Sequence, residues 1–145
     1  MQKKFGIKAA ALVLCLVMAA VFVLAGCSHT LPDQTVMQLH DGDSLGEGAV
    51  SFQLRVVDQE GKAITATIHT DEKMLGKALQ DLQLVAGEMG DFGLYIKTVN
   101  GLTLDYDRDG WYWSFYVGDA YATASADQTE IVQDAVYTLK AEKAS

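Results

Sequence analysis

Cysteine, proline and histidine are scarce in this chain of 145 residues, which contains two cysteines, one proline and three histidines. Cys15 and Cys27 both precede residue 28, so the rest of the chain has no thiol for a disulfide, a nucleophile or a thiolate metal site. His69 alone lies beyond residue 49, on the polar side of a predicted strand. Acid–base chemistry would therefore need two carboxylates held in a cleft, and the sequence shows no such arrangement. We predict that the protein is not an enzyme.

Basic residues are also few, with 11 lysines and arginines against 19 aspartates and glutamates and a net charge of −8. Lys3, Lys4 and Lys8 stand at the front, whereas every acidic residue lies beyond residue 26. A chain this acidic repels nucleic acid and anionic lipid headgroups. We predict no nucleic-acid partner, and contact with a membrane would have to come from an apolar segment or a lipid.

The first 27 residues have the layout of a bacterial export signal. An uncharged apolar run from Ala9 to Ala25 follows the three lysines, as an h-region follows a charged n-region. Leu24-Ala25-Gly26-Cys27 then resembles the lipobox of bacterial lipoproteins, in which the cysteine thiol receives a diacylglycerol. This resemblance implies a signal peptide over residues 1–26, lipidation of Cys27 and an anchor on the outer face of the cytoplasmic membrane. A retained transmembrane helix is the alternative, because such a run at about 1.5 Å per residue nearly spans a hydrocarbon core of about 30 Å.

The segment after the lipobox has a different composition. Ser28 to Ala49 contains the proline, three glycines and little periodic hydrophobicity. This pattern predicts a lipidated cysteine and flexible tether over residues 27–49, followed by one domain over residues 50–145.

Strict alternation begins at Val50 and predicts a β-hairpin. Apolar residues at every second position mark two strands separated by a polar turn cluster, with Phe52, Leu54 and Val56 on the first and Ile64, Ala66 and Ile68 on the second.

An apolar stripe of helical period then predicts a short amphipathic helix from Met74 to Leu82, capped by Thr70 or Asp71.

The later segments predict further strands. Gly87 and Gly90 bracket a predicted loop, and residues 92–99 form a predicted strand that ends in an Asn100-Gly101 turn. A last strand is predicted over residues 136–140.

The stretch from Asp105 to Tyr121 holds both tryptophans and four of the six tyrosines. Asp109-Gly110 and Gly118-Asp119 are favoured hairpin turns, so we predict a three-stranded meander over residues 102–125. Its register places Trp111, Trp113 and Phe115 on the inner face. The outer face then holds Asp105 and Asp107 beside the candidate ligand-binding residues, which are Tyr112, Ser114, Tyr116, Tyr121 and Thr123.

The same stretch contains half of a calcium loop. Asp105, Asp107, Asp109 and Gly110 match positions 1, 3, 5 and 6 of that motif, but position 12 is Tyr116 rather than a glutamate. The predicted hairpin does not bring the three carboxylates together. We regard them as a weak candidate metal site and otherwise predict no cofactor.

Four segments together resemble the transcobalamin C-terminal-like domain family. They are the helix at residues 75–82, the segment at 92–101, the strand Tyr112-Trp113-Ser114-Phe115-Tyr116-Val117 with its Gly118-Asp119 turn, and Asp127-Gln128-Thr129-Glu130-Ile131 before the last strand. The resemblance covers residues 51 to 141. It implies a β-grasp-like α+β fold, with one short helix packed on a mostly antiparallel sheet of about five to six strands, and a binding role. Corrinoid binding is implied only as an alternative, because the carriers of this family hold the corrin between this domain and a helical barrel.

Two functions remain open. In the first, the chain is a binding module that presents the tyrosines to a peptide, a glycan, a small ligand or another surface protein. In the second, it is a structural accessory subunit of a surface assembly, and the tyrosines are only solvated.

Overall fold

The structure is a computed structural model that describes residues 36–145. Within this range the strands are β1 (Ser44–Gly46), β2 (Val50–Val57), β3 (Ala63–Thr70), β4 (Val85–Gly90), β5 (Gly93–Val99), β6 (Leu102–Thr103), β7 (Trp111–Val117), β8 (Ala120–Tyr121) and β9 (Val136–Lys143). The helices are α1 (Leu75–Asp81), α2 (Tyr106–Asp109) and a 3-10 helix at Ala126–Gln128.

The strands form two sheets, in the orders β1-β3-β2-β9-β7-β8 and β4-β5-β6. Most neighbouring strands are antiparallel, whereas β1–β3 and β2–β9 are parallel. The predicted first hairpin is confirmed, since Phe52 pairs with Ile68 and Leu54 with Ala66. The α+β class predicted from the sequence is also confirmed. The second sheet was not predicted.

The core lies between the inner face of the larger sheet and a layer made of α1 and the smaller sheet. Leu54, Ile68, Leu75, Leu79 and Leu84 are fully buried there. Alternation on β2 and β3 and the helical stripe on α1 supply the first four, because each element turns one face inward, and Leu84 follows α1.

The predicted loop between Gly87 and Gly90 is wrong. Both glycines lie in β4, which pairs antiparallel with β5 and is irregular between Ala86 and Gly87. The predicted Asn100-Gly101 turn is confirmed, with φ values of 52° and 78° that connect β5 to β6.

The predicted cap of α1 is also wrong. The residue before the helix is Met74, and it makes no side-chain capping bond. The backbone instead uses the segment after the 3-10 helix, because Leu75 N–H donates to Thr129 O at 2.8 Å and Ile131 N–H donates to Lys73 O at 2.8 Å. Distant backbone partners thus replace the local side chain.

The tether predicted over residues 27–49 is part of the folded domain from Val36 onward. Val36 and Leu39 are buried, and Met37 N–H donates to Gln83 O at 2.8 Å. Three residues of this segment then form β1 beside β3. Two apolar side chains and a short strand were too sparse a pattern to reveal this packing from the sequence.

Residues 1–35 lie outside the described part of the chain, and with them the predicted signal peptide and Cys27. Between residues 36 and 145, no helix combines the length and the apolar character needed to cross a membrane.

The predicted meander over residues 102–125 is wrong in its first half. β6 pairs with β5, and Tyr106–Asp109 forms α2 rather than a strand. Asp105 causes this difference, because its side chain accepts from the N–H groups of Asp107 and Arg108 and so caps the helix. β7 pairs along its whole length with β9 instead.

The prediction for the second half of the meander is correct only for the residues next to the Gly118-Asp119 turn. Tyr116 pairs with Tyr121 and Val117 with Ala120, as predicted. Ala122 N–H still donates to Phe115 O at 2.9 Å, after which the chain leaves the sheet for the 3-10 helix. The predicted extension of this strand to Ser125 is therefore absent from the described fold.

Candidate ligand-binding face

The outer face of β7, β8 and β9 gathers tyrosines around one ion pair. We call this surface the tyrosine face, and it consists of Tyr112, Tyr116, Tyr121, Lys140 and Glu142. Strand register brings its members together, because Tyr112 lies opposite Glu142 and Tyr116 lies opposite Tyr121. The alternate residues of β7 point inward, where Trp113 is buried.

Glu142 is the centre of the hydrogen bonds on this face. Its carboxylate accepts from Tyr116 OH at 2.9 Å and from Lys140 Nζ at 3.0 Å. Burial acts to raise the pKa of Glu142, but the bonds from Lys140 and Tyr116 outweigh it, so the pKa lies below its usual value. The Glu142 bond in turn raises the pKa of Tyr116 and of Lys140. The three side chains thus hold one another in position near neutral pH.

Two edge-to-face aromatic pairs extend the surface. The rings of Tyr116 and Tyr121 are 5.2 Å apart, and those of Tyr106 and Tyr112 are 6.1 Å apart. Tyr121 is 58% exposed and Tyr106 52% exposed. Rings held in this way offer rigid apolar area with a polar tip. The sequence prediction missed Tyr106 because it assigned that residue to a strand, and the capping pattern of Asp105 was the signal that could have placed it.

Three of the five predicted ligand-binding residues meet on this face, and two do not. Ser114 points outward as expected, but it is buried, with its Oγ donating to Lys140 O at 2.9 Å. Thr123 is exposed but lies beyond the end of β8, where it lines a different concavity. Tyr112, Tyr116 and Tyr121 therefore remain as the candidate set.

The concavity lined by Thr123 is an open groove of about 670 Å³. We call it the Phe92 groove, and it lies between the β4–β5 turn and residues 122–125. Phe92 is 91% exposed, and Tyr95 is 39% exposed. Lys97 lies 5.8 Å from the centre of the Tyr95 ring and bonds Glu88 at 2.8 Å, but within the described residues the Tyr95 hydroxyl makes no hydrogen bond to this ion pair.

Leu94 lines the groove, and its N–H donates to Asp127 Oδ1 at 2.8 Å. Burial would raise the pKa of Asp127, but the Ser125 hydroxyl and the Leu94 N–H lower it below the usual value. Ser125 Oγ lies close enough to have this effect, yet it makes no hydrogen bond of good geometry within residues 36–145. These groups hold the β4–β5 turn against the segment that follows β8.

Two of the three carboxylates of the candidate calcium loop have other partners. Asp105 caps α2, and Asp109 contacts Arg108 Nη2 at 3.2 Å and Trp111 N–H at 3.3 Å. Burial acts to raise the pKa of Asp109, but the contacts with Trp111 and Arg108 lower it overall. Across residues 36–145, no three histidine, cysteine, aspartate or glutamate side chains are grouped to hold a metal ion. Calcium binding and corrinoid binding both stay untested predictions.

No family model and no curated protein matches this chain. Among solved structures, it is similar to a protein from Ruminococcus gnavus ATCC 29149 that is described as a proposed metal-binding protein. The identity is 29%, the TM-score is 0.63, and the match covers 67% of this chain and 100% of the other. A second match is to haptocorrin in complex with Cbi, at 17% identity and a TM-score of 0.49, covering 68% of this chain and 26% of that one. A likeness at the level of the haptocorrin match says nothing about what this chain binds.

Proposed function

We propose that this chain is a non-catalytic binding module that uses the tyrosine face to bind a ligand outside the cytoplasm. The observation that carries the proposal is the bonding of Tyr116 and Lys140 to Glu142, with Tyr121 packed on Tyr116. This arrangement holds the exposed ring of Tyr121 and the half-buried ring of Tyr116 in place before any ligand arrives, which lowers the entropy cost of binding. A face whose tyrosines were only solvated would not need such support.

The chemistry of the face fits a ligand that has both apolar surface and hydroxyl or amide groups. Tyrosine rings contact the apolar part, and the phenol, ammonium and carboxylate groups exchange hydrogen bonds with the polar part. Glycans, peptides and the surfaces of other proteins have this character. The likeness to the Ruminococcus gnavus protein supports a binding role in general and names no ligand for this face.

The binding part of the proposal is tested with an array of defined oligosaccharides and peptides, probed with the full-length chain in detergent. We expect at least one ligand whose binding falls about tenfold or more in Tyr121→Ser, because truncating a central aromatic anchor costs about 2 kcal/mol and every 1.4 kcal/mol is about tenfold. Tyr95→Ser is the matched control, since Tyr95 is an exposed tyrosine in the other sheet. Circular dichroism establishes that both variants remain folded.

Two outcomes would contradict this part of the proposal. Equal binding by the parent and Tyr121→Ser would favour the structural accessory subunit, in which the tyrosines are only solvated. Loss in Tyr95→Ser alone would move the binding surface to the Phe92 groove. A corrinoid titration followed by visible absorbance tests the remaining alternative, and an unchanged spectrum is expected.

The proposal also includes anchoring through a lipid on Cys27. Cells that express the chain are fed an alkyne-tagged fatty acid, which is then detected on the protein. We expect labelling of the parent and none of Cys27→Ser, with Cys15→Ser as a control that remains labelled. A labelled Cys27→Ser variant would overturn the lipid anchor without affecting the binding face.

A further inference from the structure

A small pocket adjoins the tyrosine face on the side of β2. Four side chains form a row across the sheet, because Arg55 on β2 pairs with Thr138 on β9, which pairs with Tyr116 on β7, which pairs with Tyr121 on β8. The pocket has a volume of about 290 Å³. Its polar lining comes from Arg55, Tyr116, Asp119, Thr138 and Lys140.

Arg55 is the cation of this pocket whose charge is not used within the fold. Its side chain is exposed and forms no ion pair within 4.0 Å in residues 36–145. Lys140, by contrast, bonds Glu142, and the other arginine of the chain, Arg108, bonds Asp109. A free guanidinium presents its N–H donors in a planar fork that matches a carboxylate. Such an unpaired arginine is an attachment point for a carboxylate, although the net charge of −8 repels anions in general.

The surroundings of Arg55 favour a sugar acid over an acidic peptide. The backbone groups of β2, β9 and β7 are already paired within the sheet, so an extended peptide could not add its main chain there. The volume is near the lower end of the ~300–1,000 Å³ range of small-ligand sites. Arg55 and Tyr116 are two strand spacings apart, or about 10 Å, which leaves room for one pyranose ring between them.

We propose that this pocket binds an acidic sugar, with its carboxylate on Arg55 and its ring against Tyr116. Thr138 and Asp119 are placed to exchange hydrogen bonds with the sugar hydroxyls. The inference deepens the proposed function by assigning a ligand class to one end of the tyrosine face.

The experiment compares two probes of equal shape, methyl glucuronide and methyl glucoside, by calorimetric titration of the full-length chain in detergent. We expect the glucuronide to bind at least about tenfold more tightly than the glucoside, since hydrogen bonds to charged groups are the stronger ones. Arg55→Gln should abolish this preference. Arg108→Gln is the matched control and should keep it. Added salt should weaken glucuronide binding, because the contact is exposed.

The inference is overturned if the two sugars bind equally, if Arg55→Gln keeps the preference, or if the parent binds neither sugar. Comparing array binding by the parent and by Tyr121→Ser shows whether the acidic-sugar pocket or the proposed function of the tyrosine face has failed. An array ligand lost in Tyr121→Ser, together with no glucuronide binding, would remove the acidic sugar and leave the tyrosine face. If glucuronide binding depends on Arg55 and no array ligand binds more weakly to Tyr121→Ser, the acidic-sugar pocket is supported and the role of Tyr121 is contradicted.

Discussion

Glu142 determines how the tyrosine face is held. It is the acceptor for both Tyr116 and Lys140, and its side chain is only 22% exposed. A carboxylate in this position must stay ionised to accept both bonds, which is why its pKa is lowered despite burial. The rigidity of the face therefore depends on pH.

We expect Tyr116→Phe to lower the free energy of unfolding by about 1 kcal/mol at pH 7, because one partly buried hydrogen bond to a charged group is lost. The folded-state pKa of Glu142 is lowered, so this contribution is present above its ordinary pKa of about 4.5 and is lost as pH falls through the folded-state pKa. The difference between parent and variant should thus shrink in acid. Urea unfolding between about pH 3 and about pH 7, on either side of the ordinary carboxyl pKa, measures this difference.

Tyr121→Phe provides the control for this experiment. The Tyr121 hydroxyl has no hydrogen-bond partner within residues 36–145, so its removal should leave stability nearly unchanged. An equal loss in both variants would show that the Tyr116–Glu142 bond is not the source of the effect.

Ser114 shows that alternation predicts which way a side chain points but not whether it is exposed. Period two places Ser114 on the outer face, and the structure agrees. Ser114 is nevertheless buried, where it lies opposite Lys140 on β9 and its Oγ donates to Lys140 O. Which strand lies beside β7 is not encoded in the local pattern, so the exposure of Ser114 could not be predicted.

Asp105 begins α2, so its carboxylate serves as a helix cap, and calcium binding by the half-loop stays a prediction. A cap needs an acceptor near two free N–H groups, and Asp105 Oδ1 receives Asp107 N–H at 3.0 Å and Arg108 N–H at 3.1 Å. The motif D-x-D-x-D-G has the same spacing of carboxylates in a cap as in an ion loop. Spacing alone cannot separate the two.

We expect Asp105→Ala to lower the free energy of unfolding by about 1 kcal/mol, the usual cost of losing an N-cap. Asp105→Asn should cost less, because the amide oxygen can still accept the two bonds. Thermal unfolding of the parent should give the same midpoint with calcium as with a chelator. A higher midpoint in calcium for the parent, absent in Asp105→Ala, would restore the ion site.

The packing of α1 on the 3-10 helix requires a residue without a side chain at position 76. A Cβ added to Gly76 would lie 2.6 Å from the backbone N and Cα of Asp127. Leu75 and Ala126 are buried on either side of this contact. Gly76 therefore allows the two helices to approach closely, although alanine is the better helix former.

We expect Gly76→Ala to lower the free energy of unfolding by about 1–3 kcal/mol, since overpacking outweighs a helix-propensity gain of about 1 kcal/mol. Gly90→Ala is the control, because an added Cβ there would meet Gly93 O at 3.7 Å, an ordinary contact. Denaturant unfolding of both variants provides the measurement. A stabilised Gly76→Ala variant would contradict the close approach.

The segment that precedes β2 closes one edge of the whole domain. β1 covers β3 at the edge of the larger sheet, and Leu39 N–H donates to Asn100 Oδ1 at 2.6 Å. Residues 36–49 thus connect the larger sheet to the turn between β5 and β6. An edge covered in this way is also protected from pairing with other chains.

We expect a chain that begins at residue 50 to be less stable than one that begins at residue 34. The loss of Val36 and Leu39 alone should remove about 3–6 kcal/mol, at roughly 1.5–3 kcal/mol for each buried side chain. This is a large part of the stability of a small domain, which is about 5–15 kcal/mol. Urea unfolding of the two truncated chains measures the difference in the free energy of unfolding. Equal midpoints would show that residues 36–49 add no stability, as expected of a flexible tether.

Local patterns in the sequence were sufficient for the elements with one strong period. The β2–β3 hairpin, α1, β5 with its Asn100-Gly101 turn, and β9 could be predicted because their apolar residues or turn residues are adjacent in the chain. The close approach of Tyr116 and Tyr121 could be predicted for the same reason, since a two-residue turn joins their strands.

The rest depends on contacts between segments far apart in sequence. β9 inserts between β2 and β7, which places Lys140 and Glu142 among the tyrosines and Arg55 at the end of their row. Alternation specifies which face of a strand is apolar but does not name the neighbouring strand, because that choice depends on the area buried by the complete fold. The sequence thus supplies the tyrosines, and the packing of β9 supplies their supporting charges.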